Sequence, residues 1–260
     1  MVIRLAELDI RWPDEYGNFV SAFAADKKQG DKCVLSLSFK KGMTECHGFS
    51  FAEKPPQHLL QRQLQNEILC SDAEWTDATV YCPHYSDPNF TLPIAAICSR
   101  LSYFKTVLLH GSLVEYKGEG VIFTGYSGVG KTTQAELWNR FLGADIINGD
   151  KVLIKADNND VTAYGLPWKG SSPYCKNKKV PLKGIVVLRQ SSSNKIRKLD
   201  AFEFMEYLMP HIFFPHWDAA CMSAALETVD TLLCRVPLHL LECRPDEEAV
   251  RLTEKTIFGI

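Results

Sequence analysis

From Gly125 to Thr133 the chain reads GYSGVGKTT, three glycines set ahead of a lysine and two threonines. Gly125-x-x-x-x-Gly130-Lys131-Thr132 is the full pattern of a phosphate-binding P-loop, the Walker A motif. The residue types explain the chemistry. Several backbone N–H groups must converge on one anion, which takes φ values and a closeness of approach that a Cβ forbids. Gly125, Ser127, Gly128, Val129 and Gly130 provide that backbone, and the helix that follows turns its positive end toward the same point. Lys131 reaches the β- and γ-phosphate oxygens, Thr132 offers its hydroxyl to magnesium, and Thr133 completes the nucleotide-binding set. The expected cofactors are ATP and Mg2+.

Two further residues stand at useful distances. Asp150, in IINGDKVLI, follows Lys131 by nineteen positions, room for one helix and a returning strand. A carboxylate there can hold Mg2+, directly or through water, or accept a proton from an attacking hydroxyl. Asn148-Gly149-Asp150 is also good turn chemistry, so a plain turn aspartate is the competing reading. His110, in LLHGSLVEY, precedes Gly125 by fifteen. If its strand and the strand before the loop form a hairpin, its ring reaches the γ-phosphate or the acceptor; otherwise it is an ordinary strand-end histidine.

The elements that must position these residues fall into two textures. Residues 1–105 read as a β-rich N-terminal region: short runs such as CVLSLSF (33–39) and ATVYC (78–82), broken by turns such as YCPHYSDPNF. Helices are expected at 56–69 and 92–104. Residues 106–260 mix strands and helices: a hairpin around YKGEG, a helix over 130–142 with Leu137 and Phe141 toward a sheet, short strands to about 166, and a buried strand over 181–190. Then come a short helix at DAFEFMEYLM, one over 218–235 with Met222, Leu226, Val229 and Leu233 on one face, a strand in VPLHLLEC, and a helix opened by Pro245 and acidic residues.

HGSLVEYKGEGVIFTGYSGVGKTTQAELW followed by NGDKVLI, within residues 107–156, resembles the HPr kinase/phosphorylase family. The resemblance implies an α/β fold with a P-loop domain and mixed sheet of the HPr kinase/phosphoenolpyruvate carboxykinase type, rather than a doubly wound sheet. It implies phosphoryl transfer to a hydroxyl. It makes His110 an active-site residue near the transferred phosphate and Asp150 a metal-associated or catalytic acid, with Lys131 and Thr132 as above. HPr kinases assemble into oligomers, so a homo-oligomer is implied as well. The chain departs from the family in three ways. Gly149-Asp150 stands where the family has two adjacent acids, Thr132 replaces a serine, and the first 100 residues differ from the usual N-terminal domain. Nor is the later segment tied to the reverse reaction recognised. These departures point away from HPr itself, toward a small molecule such as free serine or a peptide tail, as in shorter relatives.

The acceptor side is expected in YGLPWKGSSPYCKNKKVPLKG (164–184), where Trp168, Lys169, Ser171 and the lysines at 176, 178 and 179 would make a polar lid; a solvated loop is the alternative. Arg244 either neutralises charge on the transferring group or forms a surface ion pair. A formal net charge of −2 argues against a nucleic-acid or anionic-membrane partner. The nine cysteines include no C-x-x-C pair, which argues against structural zinc and for small buried thiols. With no signal peptide or membrane-length run visible, a cytoplasmic location is expected. The reading is an ATP- and Mg2+-dependent kinase acting on a hydroxyl of a small molecule or peptide. A catalytically weak nucleotide-binding regulatory module and a carboxykinase-like enzyme are the rivals.

Overall fold

Short β-favouring runs can bury an apolar face only by pairing, and both textures of the sequence resolve into sheets. The computed structural model describes residues 1–26, 32–41, 56–62, 67–82, 91–157, 160–200 and 202–260. Contacts divide them into two units, Met1–Phe104 with Pro215–Met222, and Lys105–Phe214 with Ser223–Ile260. The part of the YCPHYSDPNF turn at 83–90 lies outside the described residues, as do Asn158, Asn159 and Ala201.

The first unit contains β1 (Val2–Leu5), β2 (Leu8–Arg11), a one-turn α1 (Gly17–Val20), β3 (Leu35–Lys41), β4 (His58–Arg62), β5 (Glu67–Ser71), β6 (Asp77–Cys82) and α2 (Thr91–Ser102). Its sheet runs β1-β2-β3-β6-β5-β4. The helix expected over 56–69 is absent from its described residues, where β4 and β5 pair antiparallel, and 63–66 lie outside them. His58 and Leu60 are half-buried while Leu59 and Gln61 are exposed, a period of two. Leucine spacing alone fits a helix, and pairing with a strand buried along its whole length overrides it.

In the second unit β7 (Thr106–Tyr116) is the long central strand. It turns through Lys117 and Gly118, both at positive φ as a two-residue hairpin demands, into β8 (Glu119–Thr124). Then follow α3 (Lys131–Leu142), β9 (Asp145–Asn148), β10 (Lys151–Ala156), β11 (Val161–Tyr164), β12 (Lys179–Gln190), β13 (Lys195–Lys198), α4 (Glu203–Tyr207), β14 (Ile212–Phe213), α5 (Ala219–Arg235), β15 (Leu238–Cys243) and α6 (Glu247–Phe258). The order is β11-β10-β7-β8-β12-β15-β13, with β9 and β14 also paired to β7. The sheet is mixed: β12 runs parallel to β8 and β15, while β7 runs antiparallel to β8 and β10.

Alternation along the parallel strands feeds two cores. Ile122, Ile185, Val187, Leu238 and Leu240 face one, with Phe204, Ala225, Val229 and Leu232. Phe123, Val186, Leu188 and Leu241 face the other, with Ala135, Trp138, Ala249 and Val250. Burial on both faces explains the unbroken apolar run in β12. Two helix faces differ from expectation. Trp138 is fully buried and Leu137 and Phe141 only partly, so α3 is rotated toward its indole, whose burial outweighs either side chain. On α5 the buried stripe is Ala225, Val229 and Leu232, and Leu226 is 40% exposed.

Candidate active site

The strand β8 ends at Thr124 and releases the glycine loop. Gly125, Gly128 and Gly130 have φ of 139°, 78° and 112°, and around the last two a Cβ would meet nothing within 4 Å. Conformation, not crowding, therefore selects glycine at 128 and 130. α3 starts at Lys131, so the first-turn N–H groups lack intrahelical acceptors and face the loop.

Lys131 is only 8% exposed. Its ammonium donates to the carbonyls of Gly125 at 3.0 Å and Tyr126 at 3.1 Å, which folds it back across the loop. Burial pushes its pKa down, and the charge of Asp150 opposes that shift. Thr132 donates to the carbonyl of Gly149 at 3.1 Å, and Ser112 donates to the same oxygen at 3.0 Å. The 148–150 turn is thereby tied to the first turn of α3. Among the named residues, Ser127 and Thr133 are exposed.

Asn148, fully buried, builds that turn. Its Oδ1 accepts the N–H groups of Asp150 at 2.9 Å and Lys151 at 3.1 Å, and its Nδ2 donates to Leu166 at 2.7 Å. The Asp150 carboxylate, 19% exposed, meets His110 Nδ1 at 3.3 Å and the Lys151 ammonium. His110 arrives there by register: it pairs with Lys151 across one edge of β7 while Gly111 pairs with Thr124 across the other. Its Nδ1 lies 2.9 Å from the Asp150 carbonyl. Burial lowers the His110 pKa, the Lys131 charge adds to that, and Asp150 counters it.

Gly149 has a reason of its own. A Cβ there would stand 1.9 Å from Ser172 Oγ and 2.5 Å from Ser172 Cβ. The buried Ser172 occupies the space that a second acid would need. One carboxylate faces the loop rather than two.

The 165–178 segment packs where a lid was expected, with its residues sorted differently. Trp168 is 3% exposed, so its ring is part of the packing, while Lys169 and Ser171 are exposed. Lys176 is paired with Asp145, and Lys178 with Asp145 and Glu115. Their charge is answered locally by these carboxylates. Arg244 is held by Asp246 at 2.9 Å and Glu248 at 2.8 Å, the ion-pair alternative.

Sequence reasoning missed Ser112 and His211. Ser112 is two residues from His110 and so shares its face of β7, a signal that was there to use. His211 has no such mark. It reaches the site because the two-residue β14 pairs with Leu108 and Leu109 of β7. Its ring stands edge-on to Tyr126 with centroids 5.1 Å apart. Burial lowers its pKa, and Lys131 and His110 add to the effect.

Among the described residues, the Asp150 carboxylate, Lys131 and Lys151, the hydroxyls of Ser112 and Thr132, and His110 and His211 thus gather beside the glycine loop. A search against protein-family models finds no match. Among curated proteins, the HPr kinase/phosphorylase of Mycoplasmopsis pulmonis (strain UAB CTIP) is 33% identical over 86 residues, 33% of this chain and 25% of that protein. The chain is similar to an HPr kinase/phosphorylase. It spans a quarter of that relative's length. Among solved structures, the Hpr(Ser) kinase/phosphatase from Coxiella burnetii aligns over 58% of this chain and 97% of its own, with a TM-score of 0.36 and 9% identity. Among the described residues, no helix is long and apolar enough to cross a membrane.

Proposed function

We propose that this chain is an ATP- and Mg2+-dependent kinase that transfers a γ-phosphoryl group to a hydroxyl of a small molecule or peptide, on a P-loop domain of the HPr kinase/phosphoenolpyruvate carboxykinase type. The observation that carries the proposal is the bond from Thr132 to the Gly149 carbonyl, which brings Asp150 beside the loop that Lys131 crosses. The residues fit the expected groups. Mg2+ is commonly held by one or two carboxylates and by phosphate oxygens, so Asp150 with Thr132 suffices without a ligand cluster. The left-handed glycines and the start of α3 suit a polyphosphate.

Bound ATP with Mg2+ would supply the phosphoryl group and neutralise part of its charge. The chain's own residues do the rest. Lys131, on a flexible stem, would exchange its two carbonyls for the β- and γ-phosphate oxygens. With magnesium held through water, Asp150 would keep a free oxygen to take the proton of the acceptor hydroxyl. His110, neutral because it is buried beside Lys131, donates from Nδ1 to the Asp150 backbone and keeps the carboxylate oriented. Catalysis is positioning and charge neutralisation.

Purified protein incubated with ATP, Mg2+ and candidate acceptors should release ADP in an acceptor-dependent way. Lys131→Ala should remove nucleotide binding or turnover. Asp150→Asn should keep nucleotide affinity and lose transfer, and full transfer by that variant would end the assigned role. A second reading, a nucleotide-binding regulatory module, draws support from the single acid: Gly149 leaves half the family's carboxylate charge missing. Tight binding of ATP without turnover would favour it. In either reading the protein works in the cytoplasm, assembly into a homo-oligomer is expected, and the β-rich region of residues 1–105 is distinct from 106–260 except that Pro215–Met222 group with it.

A further inference from the structure

A cavity of about 460 Å³ adjoins the outer side of the glycine loop. The loop residues Tyr126 to Val129 make one wall, Val187 and Leu240 the apolar floor, and Tyr207 and His211 the opposite wall. Arg189, Gln190 and Glu206 give it a polar rim with both charge signs. His211 is 6% exposed, and its ring stands edge-on to Tyr126 within the same lining.

His211 links the cavity to the site by register: Ile212 pairs with Leu109, which sets His211 beside His110, and His110 touches the proposed base Asp150. With the γ-phosphate held at that carboxylate, the nucleoside would lie at the far end of the polyphosphate. We propose that this cavity is the acceptor pocket, that it takes a polar organic alcohol, and that His211 is the residue that positions the alcohol's hydroxyl. The proposal rests on the kinase reading above. In the step it serves, the acceptor oxygen bonds to the γ-phosphorus as the bond to the β,γ-bridging oxygen breaks. The electron pair leaves on ADP and the hydroxyl proton passes to Asp150. The His211 N–H donates to the acceptor oxygen and fixes its direction, a role for a neutral ring.

The test uses the full chain with Mg2+ and ATP, reading nucleotide affinity by calorimetry and phosphate release with water as the acceptor, since water enters the same pocket. Glu206→Trp, at an exposed position on the rim, closes the mouth without touching the core. It should lower turnover about tenfold or more and leave affinity within about twofold. His211→Ala should lower kcat about tenfold at nearly constant KM for ATP, and His211→Asn, which keeps a neutral donor, should recover at least about a third of the rate. Loss of nucleotide affinity in Glu206→Trp would show that the cavity holds the base and would overturn the proposal, as would unchanged turnover in both variants. Wild-type protein that fails to bind ATP would instead end the kinase reading.

Discussion

Each unit holds a largely buried aspartate, and the two are treated oppositely. Asp218, in the first unit, has a 7% exposed carboxylate whose lone pairs are answered one by one. Trp75 Nε1 donates at 2.8 Å, the N–H groups of Ala220 and Cys221 donate at 2.8 and 3.1 Å, and His58 lies 3.2 Å away, its ring stacked on Trp75. It caps the helix that starts at Ala219 and holds the fully buried Trp75 at a φ of 58°. Asp150 has no such set. Among the described residues its carboxylate meets two side chains, a histidine and a lysine ammonium, with the Lys131 charge nearby. A saturated carboxylate is a structural joint, while one facing side-chain cations and an opening is available for exchange with a ligand.

The largest effect should separate the two by kind. Asp150→Asn is expected to slow phosphoryl transfer about a thousandfold, near 4 kcal/mol of barrier, while unfolding free energy changes by less than about 1 kcal/mol. Asp218→Ala should do the reverse. It removes a cap and strands a buried indole N–H, costing about 3 kcal/mol by urea denaturation. If Asp150→Asn destabilised the protein as much as Asp218→Ala, the distinction between joint and tool would collapse.

Gly149→Ala comes next, since its methyl group must displace Ser172 Oγ from 1.9 Å. A cost of about 2 kcal/mol is expected, as for overpacking elsewhere. Adding Ser172→Gly removes the obstructing atoms, so the double variant should be more stable than the sum of the single changes by about 1 kcal/mol or more. Additive values would mean that the turn yields freely, and then packing would not explain why one acid stands where two are usual.

What the sequence made legible follows from how local each signal is. The glycine loop, the hairpin before it and the long buried β12 are contiguous patterns, read with period and turn chemistry alone. The short strand runs of the first unit were also visible. The segment at 56–69 misled because leucines spaced for a helix can equally line an edge strand once β5 is there to pair with. His211 could not be found, since its place depends on a two-residue strand too short to carry any periodicity. The pairing of Lys176 and Lys178 was not legible because Glu115 and Asp145 lie on distant stretches of sequence. Leu226 read as core because Ala225, the residue in fact buried, is a weaker hydrophobic signal.

The smallest effect is a matter of pH. Burial acts to raise the Asp218 pKa, yet the Trp75 indole and the backbone N–H groups of Cys221 and Ala220 outweigh it and hold the carboxyl below its ordinary value. A folded pKa below the unfolded one, about 3.9, means that ionised Asp218 favours the folded state. That contribution is complete at neutral pH and is lost as pH falls below about 4 and through the folded value. Other carboxylates titrate in the same window, Asp145 among them, so wild-type stability alone cannot isolate one group. The difference between wild type and Asp218→Asn can. That difference should be constant from about pH 7 to about pH 5 and should narrow toward about pH 3.5. A difference that stayed level into acid would mean that Asp218 gains nothing from its charge, and the contrast with Asp150 would then be one of hydrogen-bond number alone.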